Sequence, residues 1–278
     1  EPIWPIEERP APASDVEGEV TSPTQPHPTR PAPYDRQGFT VDDLIDFTPE
    51  LREQALQELG DRRTGPLYTP PSIEGSLVRP GGGGAVNWGG GAFDTATGFL
   101  YVKTSNMPAV MTLERFDPAN TRNPFADTTE PDYVGYDTAS GGQAVFEGSL
   151  PLNKPPYGFL VAIDMHEGDI AWRVPFGRGS DRIRRHPALD GIEVPERLGT
   201  PGAPGAIVTA GGLVFAGGGE NALYAFDKAT GNELWAGPLN ERSTATPMTY
   251  QTFDGRQFVV IATGSGGNQE LVAFAIPE

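Results

Sequence analysis

Two segments of the chain share one pattern, and this repeat constrains the fold more than any other feature of the sequence. They read AIDMHEGDIAW at 162–172 and AFDKATGNELW at 225–235, with an Asp eight residues before a Trp: Asp164 and Trp172, then Asp227 and Trp235. The carboxylate can accept backbone N–H groups in a tight turn, a glycine supplies positive φ, and the Trp closes the second strand. A Trp at the same point of each unit can wedge between neighbouring sheets. The repeat therefore predicts similar β-sheet units packed side by side.

The first four residues, EPIW, match the end of this pattern as it stands in GNELW at 231–235. Trp4 then corresponds to Trp172 and Trp235, and residues 1–4 are predicted to be an orphan outer strand of a preceding unit. On this interpretation the rest of that unit belongs to an upstream N-terminal portion, in a separate chain or a missing segment. Unpaired strand edges are a liability in an isolated chain, so this upstream portion is the first expected partner.

Short apolar runs separated by glycine-rich turns continue from residue 84 to the end. The chain has 36 Gly and 29 Pro among 278 residues, an excess that favours turns over long helices. The pattern predicts four strands over 90–176 with an insertion at roughly 107–156, four over 205–236, and three over 244–276. Residues 84–278 are therefore predicted to be all-β, in a closed or radial architecture whose last unit lacks its outer strand.

A proline-rich segment precedes these strands. Proline fixes φ and has no backbone donor, so residues 5–83 are predicted to be an extended connector or insertion. One helix is predicted inside it, at 49–59. Thr48 suits the N-cap, Pro49 the first helical position and Gly60 the C-terminus.

Composition excludes several classes of function. The formal net charge is -17, which disfavours a nucleic-acid partner because phosphates require a basic surface. The chain has no Cys, which rules out disulfides, thiol nucleophiles, Cys-type zinc sites and covalent haem attachment on this chain. No apolar run approaches the ~18 residues that a membrane-spanning helix needs.

Several longer motifs carry a resemblance to a known family. They include GAVNWGGGAFDTATGFLYV, PPYGFLVAIDMHEGDIAW, GGLVFAGGGENALYAFDKATGNELWAG and TATPMTYQTFDGRQFVVIATGSGG. With these motifs the chain resembles the C-terminal part of the pyrroloquinoline quinone (PQQ)-dependent dehydrogenases, and among them the membrane-type quinoprotein glucose dehydrogenases. The resemblance covers nearly the whole chain. It implies about three blades of an eight-bladed β-propeller, with a long Pro-rich insertion and one short helix.

The resemblance also implies an activity. The family oxidises a hydroxyl group with PQQ held beside Ca²⁺, and passes the electrons to ubiquinone or a cytochrome c. The base, the lysine and most calcium ligands of the family match nothing here, so no catalytic or metal-binding residue is assigned to this chain. It is expected to be incomplete and inactive alone. A periplasmic location is implied, with any membrane association through a missing N-terminal region.

Three residues are candidates for cofactor binding. The resemblance places Asn87 at the quinone oxygens and Trp88 beside it, packed at the inner strand, although Asn87 also suits a turn before a strand. Gly89–Gly91 would let the backbone approach the propeller axis. Glu220 stands where relatives often have Asp, so a turn carboxylate is an equal alternative. Ser265 replaces a His of glucose-type relatives, and the substrate therefore stays open.

The sequence is compatible with two functions. The first is part of a PQQ-dependent sugar or alcohol dehydrogenase. The alternative is a non-catalytic propeller of the same repeats that serves as a scaffold or assembly module. The motif NWGGG favours the enzyme, because a scaffold does not need an amide directed at the central channel.

Overall fold

The structure is a computed structural model that describes residues 1–115, 136–140, 142–146, 148–202 and 204–277. The chain divides into two compact units, each built from separate stretches of sequence. We call them the insertion unit (Glu1–Thr29, Arg36–Gly82 and Met107–Lys154) and the sheet unit (Arg30–Asp35, Gly83–Asn106 and Pro155–Glu278). The domain boundary near residue 84 and the insertion at roughly 107–156 stay predictions.

Short strands dominate both units. In chain order they are β1 (Ile6–Pro10), β2 (Thr24–Pro28), β3 (Ser76–Val78), β4 (Gly91–Asp94), β5 (Phe99–Ser105), β6 (Ala109–Arg115), β7 (Tyr136–Ser140), β8 (Val145–Phe146), β9 (Leu150–Pro151), β10 (Gly158–Asp164), β11 (Asp169–Pro175), β12 (Ala206–Val208), β13 (Leu213–Ala216), β14 (Ala222–Asp227), β15 (Glu233–Pro238), β16 (Met248–Gln251), β17 (Gln257–Thr263) and β18 (Glu270–Phe274). The α-helices are α1 (Pro49–Leu59) and α2 (Asp181–Arg184), and the 3₁₀ turns are Val41–Asp43 and Pro187–Leu189.

The sheet unit contains three successive antiparallel sheets. Sheet 1 has the order β11-β10-β5-β4, sheet 2 the order β12-β13-β14-β15, and sheet 3 the order β16-β17-β18. Each sheet is a meander, except that the insertion separates β5 from β10. Successive sheets that pack face to face are the arrangement of β-propeller blades. The predicted all-β class is confirmed, as are the two four-stranded blades and the three-stranded last blade.

A hydrophobic core joins sheet 1 to sheet 2. The buried side chains that form it are Ala92, Tyr101, Leu160, Ala162, Phe176, Ala206, Val214, Ala216, Tyr224 and Phe226. They come from alternate positions of the strands, since the two faces of a strand point in opposite directions. A smaller cluster of Leu223, Leu239 and Ile261 lies between sheets 2 and 3.

The repeated Asp residues accept the backbone bonds predicted for them. The Oδ1 atom of Asp164 accepts from the backbone N–H of His166 at 2.8 Å. Asp227 Oδ1 accepts from the N–H groups of Ala229 at 3.0 Å and Thr230 at 2.8 Å. The same turns place Gly168 at φ 69° and Gly231 at φ 74°, in the left-handed region that favours glycine.

The repeated Trp residues differ in how they dock. Trp172 donates from Nε1 to the carbonyl of Lys228 at 3.2 Å and packs on Gly231, where a Cβ would lie 2.7 Å from the indole. It therefore wedges sheet 1 against sheet 2, as predicted. Trp235 is 39% exposed, packs edge-on against Phe274 at 5.0 Å, and borders a cavity of about 580 Å³ between sheets 2 and 3.

The insertion unit corrects the prediction of an extended connector over residues 5–83. β1 and β2 pair antiparallel, from Ile6 opposite Pro28 to Pro10 opposite Thr24. Both are edge strands of a two-stranded sheet, where proline's missing donor is tolerated. The unit also has its own core, which includes the fully buried Phe39, Leu44, Ile45 and Leu150. The proline content predicted that this segment would lack regular structure. Instead, some of its prolines lie in the paired edge strands β1 and β2.

Two further features of the insertion unit bear on the sequence. Helix α1 spans Pro49–Leu59, with the Thr48 side chain accepting from the N–H of Leu51 and Gly60 at its C-cap. The outer strand predicted at residues 1–4 is not found, because these residues form an irregular bend and β1 begins at Ile6. Trp4 is half-buried in that bend, outside any strand.

Candidate functional site

Asn87 lies in an exposed turn that leads into β4, an edge strand of sheet 1. Its Nδ2 donates to the carbonyl of Gly83 at 3.0 Å, and its Oδ1 accepts from the N–H of Trp88 at 2.9 Å. Its own carbonyl accepts from the N–H of Gly90 at 2.9 Å. These bonds stabilise the turn formed by residues 83–90, which is the turn role that the sequence allowed for Asn87. The Asn87 side chain lies at the surface.

Trp88 projects from the same turn and is 98% exposed. The expected packing of this side chain at the inner strand is therefore wrong for the described residues. Its surroundings are open, since a Cβ at Gly90 would meet no atom within 4 Å. So large an apolar side chain is seldom this exposed, and Trp88 leaves its whole indole accessible at the surface of the described chain.

Glycines bring the backbone close together on either side of this turn. A Cβ at Gly91 would lie 2.7 Å from the Val102 side chain, and a Cβ at Gly205 would lie 2.2 Å from the carbonyl oxygen of Gly89. Side chains cannot fit at such distances, so both positions need glycine. These contacts fix the Asn87–Trp88 turn, which we define as residues 85–91, while the approach of Gly89–Gly91 to the propeller axis stays a prediction.

Glu220 lies half-buried at the start of β14, within a network of donors. Its carboxylate accepts from the N–H of Gly179 at 2.7 Å, from the Thr200 hydroxyl and from the Tyr224 hydroxyl. Burial raises the pKa of Tyr224, and the hydrogen bond to Glu220 raises it further, so this hydroxyl stays a donor. The carboxylate thus ties segments of sheets 1 and 2 together, and a direct cofactor role for Glu220 stays a prediction.

Sequence reasoning missed Lys103, which is completely buried on β5. Burial lowers its pKa from 10.5 to about 7, although the charges of Glu220 and Asp35 act in the opposite direction. The sequence GFLYVKTS contained a signal of this burial. Tyr101 and Lys103 are two residues apart, so their side chains lie on the same face of the strand. A charged residue on a buried face is rare and calls for an explanation.

A metal site requires clustered ligating side chains, and a membrane-spanning helix must be long and apolar. Nowhere among the described residues do three His, Asp or Glu side chains come together as a metal ion would require. In the same part of the chain no helix has both the length and the apolar character needed to cross a bilayer.

Comparison with known proteins gives a family match over most of the chain. Residues 1–259 match the family described as "PQQ: Glucose/ethanol/alcohol dehydrogenase, beta-propeller domain". The chain is 30% identical to a probable quinate dehydrogenase (quinone) of Xanthomonas campestris pv. juglandis, covering 100% of this chain and 36% of that protein.

Two other relatives give similar values. Identity is 30% to the glycerol dehydrogenase large subunit of Gluconobacter oxydans, with 100% of this chain and 40% of the relative covered. Identity is also 30% to quinoprotein glucose dehydrogenase A of Acinetobacter calcoaceticus, with 100% and 36% covered. The chain therefore spans well under half of the length of the relatives it matches.

Proposed function

Because the chain belongs to the PQQ glucose/ethanol/alcohol dehydrogenase β-propeller family, we propose that it forms part of the propeller of an oxidoreductase acting on CH–OH donors. The family match over residues 1–259 carries this proposal. The relatives are named as dehydrogenases of different molecules, namely quinate, glycerol and glucose. Since the chain spans 36% to 40% of their length, the activity is proposed for the whole protein.

The Asn87–Trp88 turn has the types of group that can contact a quinone cofactor. It offers a surface amide, an indole with 98% of its area exposed, and a glycine at 90 with open space around it. A flat aromatic ring system can lie against such a surface with low steric cost. When bound, PQQ would supply the oxidising group for the hydride equivalent that leaves the alcohol carbon.

Asn87 would orient the cofactor by hydrogen bonding. A side-chain amide has two N–H donors, and the carbonyl of Gly83 accepts one of them. A second N–H directed at a quinone oxygen would stabilise negative charge that develops there. Trp88 would limit access of water to that face, and Glu220 would hold the surrounding segments in place through Thr200 and Gly179.

Calcium, the electron acceptor and the location are further parts of the proposal. Ca²⁺ would accompany PQQ, with ligands contributed mainly by the rest of the full-length protein, as would the catalytic base and lysine. A quinone or a cytochrome c would accept the electrons. A periplasmic location follows from the same resemblance, and the upstream portion of the propeller would be the partner that completes the site.

The non-catalytic scaffold is the weaker alternative. The relatives named above are all dehydrogenases, and an exposed indole beside a surface amide has no packing purpose in a scaffold. A scaffold would also tolerate any small residue at position 87 that preserves the turn.

Two substitutions at Asn87 separate a cofactor role from a turn role. Asn87→Asp keeps the oxygen that accepts from the N–H of Trp88 but replaces the amide donor by a carboxylate. Asn87→Ala loses both. We expect PQQ titration of the full-length protein to show affinity up to about 10-fold weaker for Asn87→Ala, since one hydrogen bond between neutral groups contributes up to about 1.5 kcal/mol.

Which of the two variants binds PQQ more weakly distinguishes a cofactor role of Asn87 from a turn role. If the amide faces a quinone oxygen, Asn87→Asp binds PQQ more weakly than Asn87→Ala, because a carboxylate repels that oxygen. If Asn87 only braces the turn, Asn87→Asp loses the bond to Gly83 but keeps the bond from the N–H of Trp88, whereas Asn87→Ala loses both and is the weaker. The second order would refute the cofactor role of Asn87.

A further inference from the structure

Lys103 makes its contacts on one side of β5, inside the sheet unit. Its Nζ donates to the carbonyl of Thr200 at 2.5 Å and to the carbonyl of Gly202. The ammonium also lies 5.1 Å from the centre of the Phe176 ring, within cation–π distance. One buried cation thus binds two carbonyls of the segment that enters sheet 2.

Thr200 is held from three directions. Its carbonyl accepts from Lys103, its hydroxyl donates to Glu220, and its N–H donates to the carbonyl of Phe176 at 2.7 Å. Residues 199–202 are therefore fixed between β5 on one side and β14 on the other.

Two contacts connect Lys103 and this segment to the Asn87–Trp88 turn. Gly205 follows it by three residues and abuts the carbonyl of Gly89, with only 2.2 Å between that oxygen and the place of a Cβ. On the other side, Ser105 lies two residues after Lys103, and its N–H donates to the carbonyl of Ala85 at 2.8 Å. The turn is held at Ala85 and at Gly89, on both sides of Asn87 and Trp88.

Packing alone does not explain a lysine at this position. A methionine has similar length and would fill the same space without the cost of removing an ammonium from water. What a methionine lacks is the set of N–H donors that satisfies two buried carbonyls at once. The role of Lys103 therefore lies in fixing the 199–202 segment.

We propose that Lys103 is a positioning residue that holds the Asn87–Trp88 turn in place by fastening residues 199–202 to β5. The cofactor-related part of this inference rests on the proposed function, while the mechanical part does not. Lys103 itself need not touch the cofactor, and its effect passes through the backbone at Gly205 and Ser105.

Amide hydrogen exchange of the full-length protein, without PQQ, tests the mechanical part. In Lys103→Met we expect the N–H groups of Gly90 and Ser105 to exchange about 10-fold faster or more, because local opening of the turn becomes easier. The amides of β14 should keep the wild-type rate. The matched control is Lys228→Met, which removes a lysine of the same unit whose partner, Asp94, lies at the opposite end of β4.

Wild-type exchange at Gly90 and Ser105 in Lys103→Met would overturn the inference. Equal acceleration in β14 would also overturn it, because the effect would then be general loosening of the fold. Titration of the same proteins with PQQ is a separate measurement, in which we expect about 10-fold weaker binding by Lys103→Met than by the wild type. No PQQ binding by the wild type would refute the proposed function, while the exchange data would still decide whether Lys103 positions the turn.

Discussion

The buried ammonium of Lys103 predicts a pH dependence of stability that one substitution removes. Burial lowers the pKa of Lys103 from 10.5 to about 7 in the folded protein. Below pH 7 the side chain carries its proton in both the folded and the unfolded state. Between pH 7 and 10.5 only the unfolded chain keeps that proton, so unfolding takes up a proton and the free energy of unfolding rises with pH.

The magnitude follows from the shift. Each pKa unit corresponds to about 1.4 kcal/mol, so raising the pH from 7 to 9 stabilises the fold by about 2–3 kcal/mol through this group. Glu220 and Asp35, the charged groups that face the ammonium, already act against the shift. The methionine side chain of the Lys103→Met variant does not titrate. The free energy of unfolding of this variant should therefore not show the rise between pH 7 and 9, however stable the variant is at pH 7.

Urea denaturation at pH 6, 7, 8 and 9 measures the effect. Three of the four Trp residues, Trp88, Trp172 and Trp235, lie in the sheet unit, so intrinsic fluorescence reports mainly on it. Lys228→Met should keep the wild-type slope, because the pKa of its partner Asp94 lies far below this range. If the free energy of unfolding of the wild type and of Lys103→Met changed with pH in parallel, Lys103 would not be the cause of the pH dependence.

Two further predictions concern the packing of sheets 1 and 2 and can be checked by denaturation. Trp172→Ala should destabilise the protein by about 2–4 kcal/mol, because it removes a large side chain and its bond to Lys228. Trp235→Ala, at a partly exposed position beside a cavity, should cost less, and equal losses would contradict the docking role of Trp172. Asp94 pairs with Lys228 at 2.8 Å, and hydrogen bonds from Lys228 and Thr97 lower the pKa of Asp94 to about 2. Its stabilisation is complete above pH 4 and is lost as the pH falls toward 2, so Asp94→Asn should flatten acid unfolding in that range, and an unchanged acid profile would argue against the pairing.

Repeated residues made the sheets predictable from sequence. The spacing of Asp227 and Trp235 fixes a turn and a strand end locally, and the strand pattern around it gives the number of strands in each sheet. Helix α1 was predictable for the same reason, since Thr48, Pro49 and Gly60 act on the backbone next to them.

Features that depend on residues distant in sequence were harder to predict. The pairing of β1 with β2 joins two proline-bearing segments, and proline content alone indicates extended chain without a partner. The burial of Lys103 depends on Thr200 and Gly202, about a hundred residues further along the chain. Asn87 was found only through resemblance, because its local contacts are those of an ordinary turn residue.

The exposure of Trp88 shows how a local motif can mislead. The motif NWGGG placed this indole next to a strand, and packing against that strand was the simplest expectation. Gly90 and the open space around it leave the side chain without a surface to cover it in the described chain. Proximity to a strand in sequence therefore does not determine which way a side chain turns.

Dye-linked dehydrogenase activity of the full-length protein tests whether the chain belongs to a PQQ-dependent enzyme. The protein is reconstituted with PQQ and Ca²⁺ and assayed with glucose, glycerol, quinate and ethanol, with apoprotein as the control. We expect dye reduction that requires PQQ and at least one of these alcohols. Bound PQQ without dye reduction by any hydroxyl substrate, or no bound PQQ at all, would contradict this expectation and favour the scaffold.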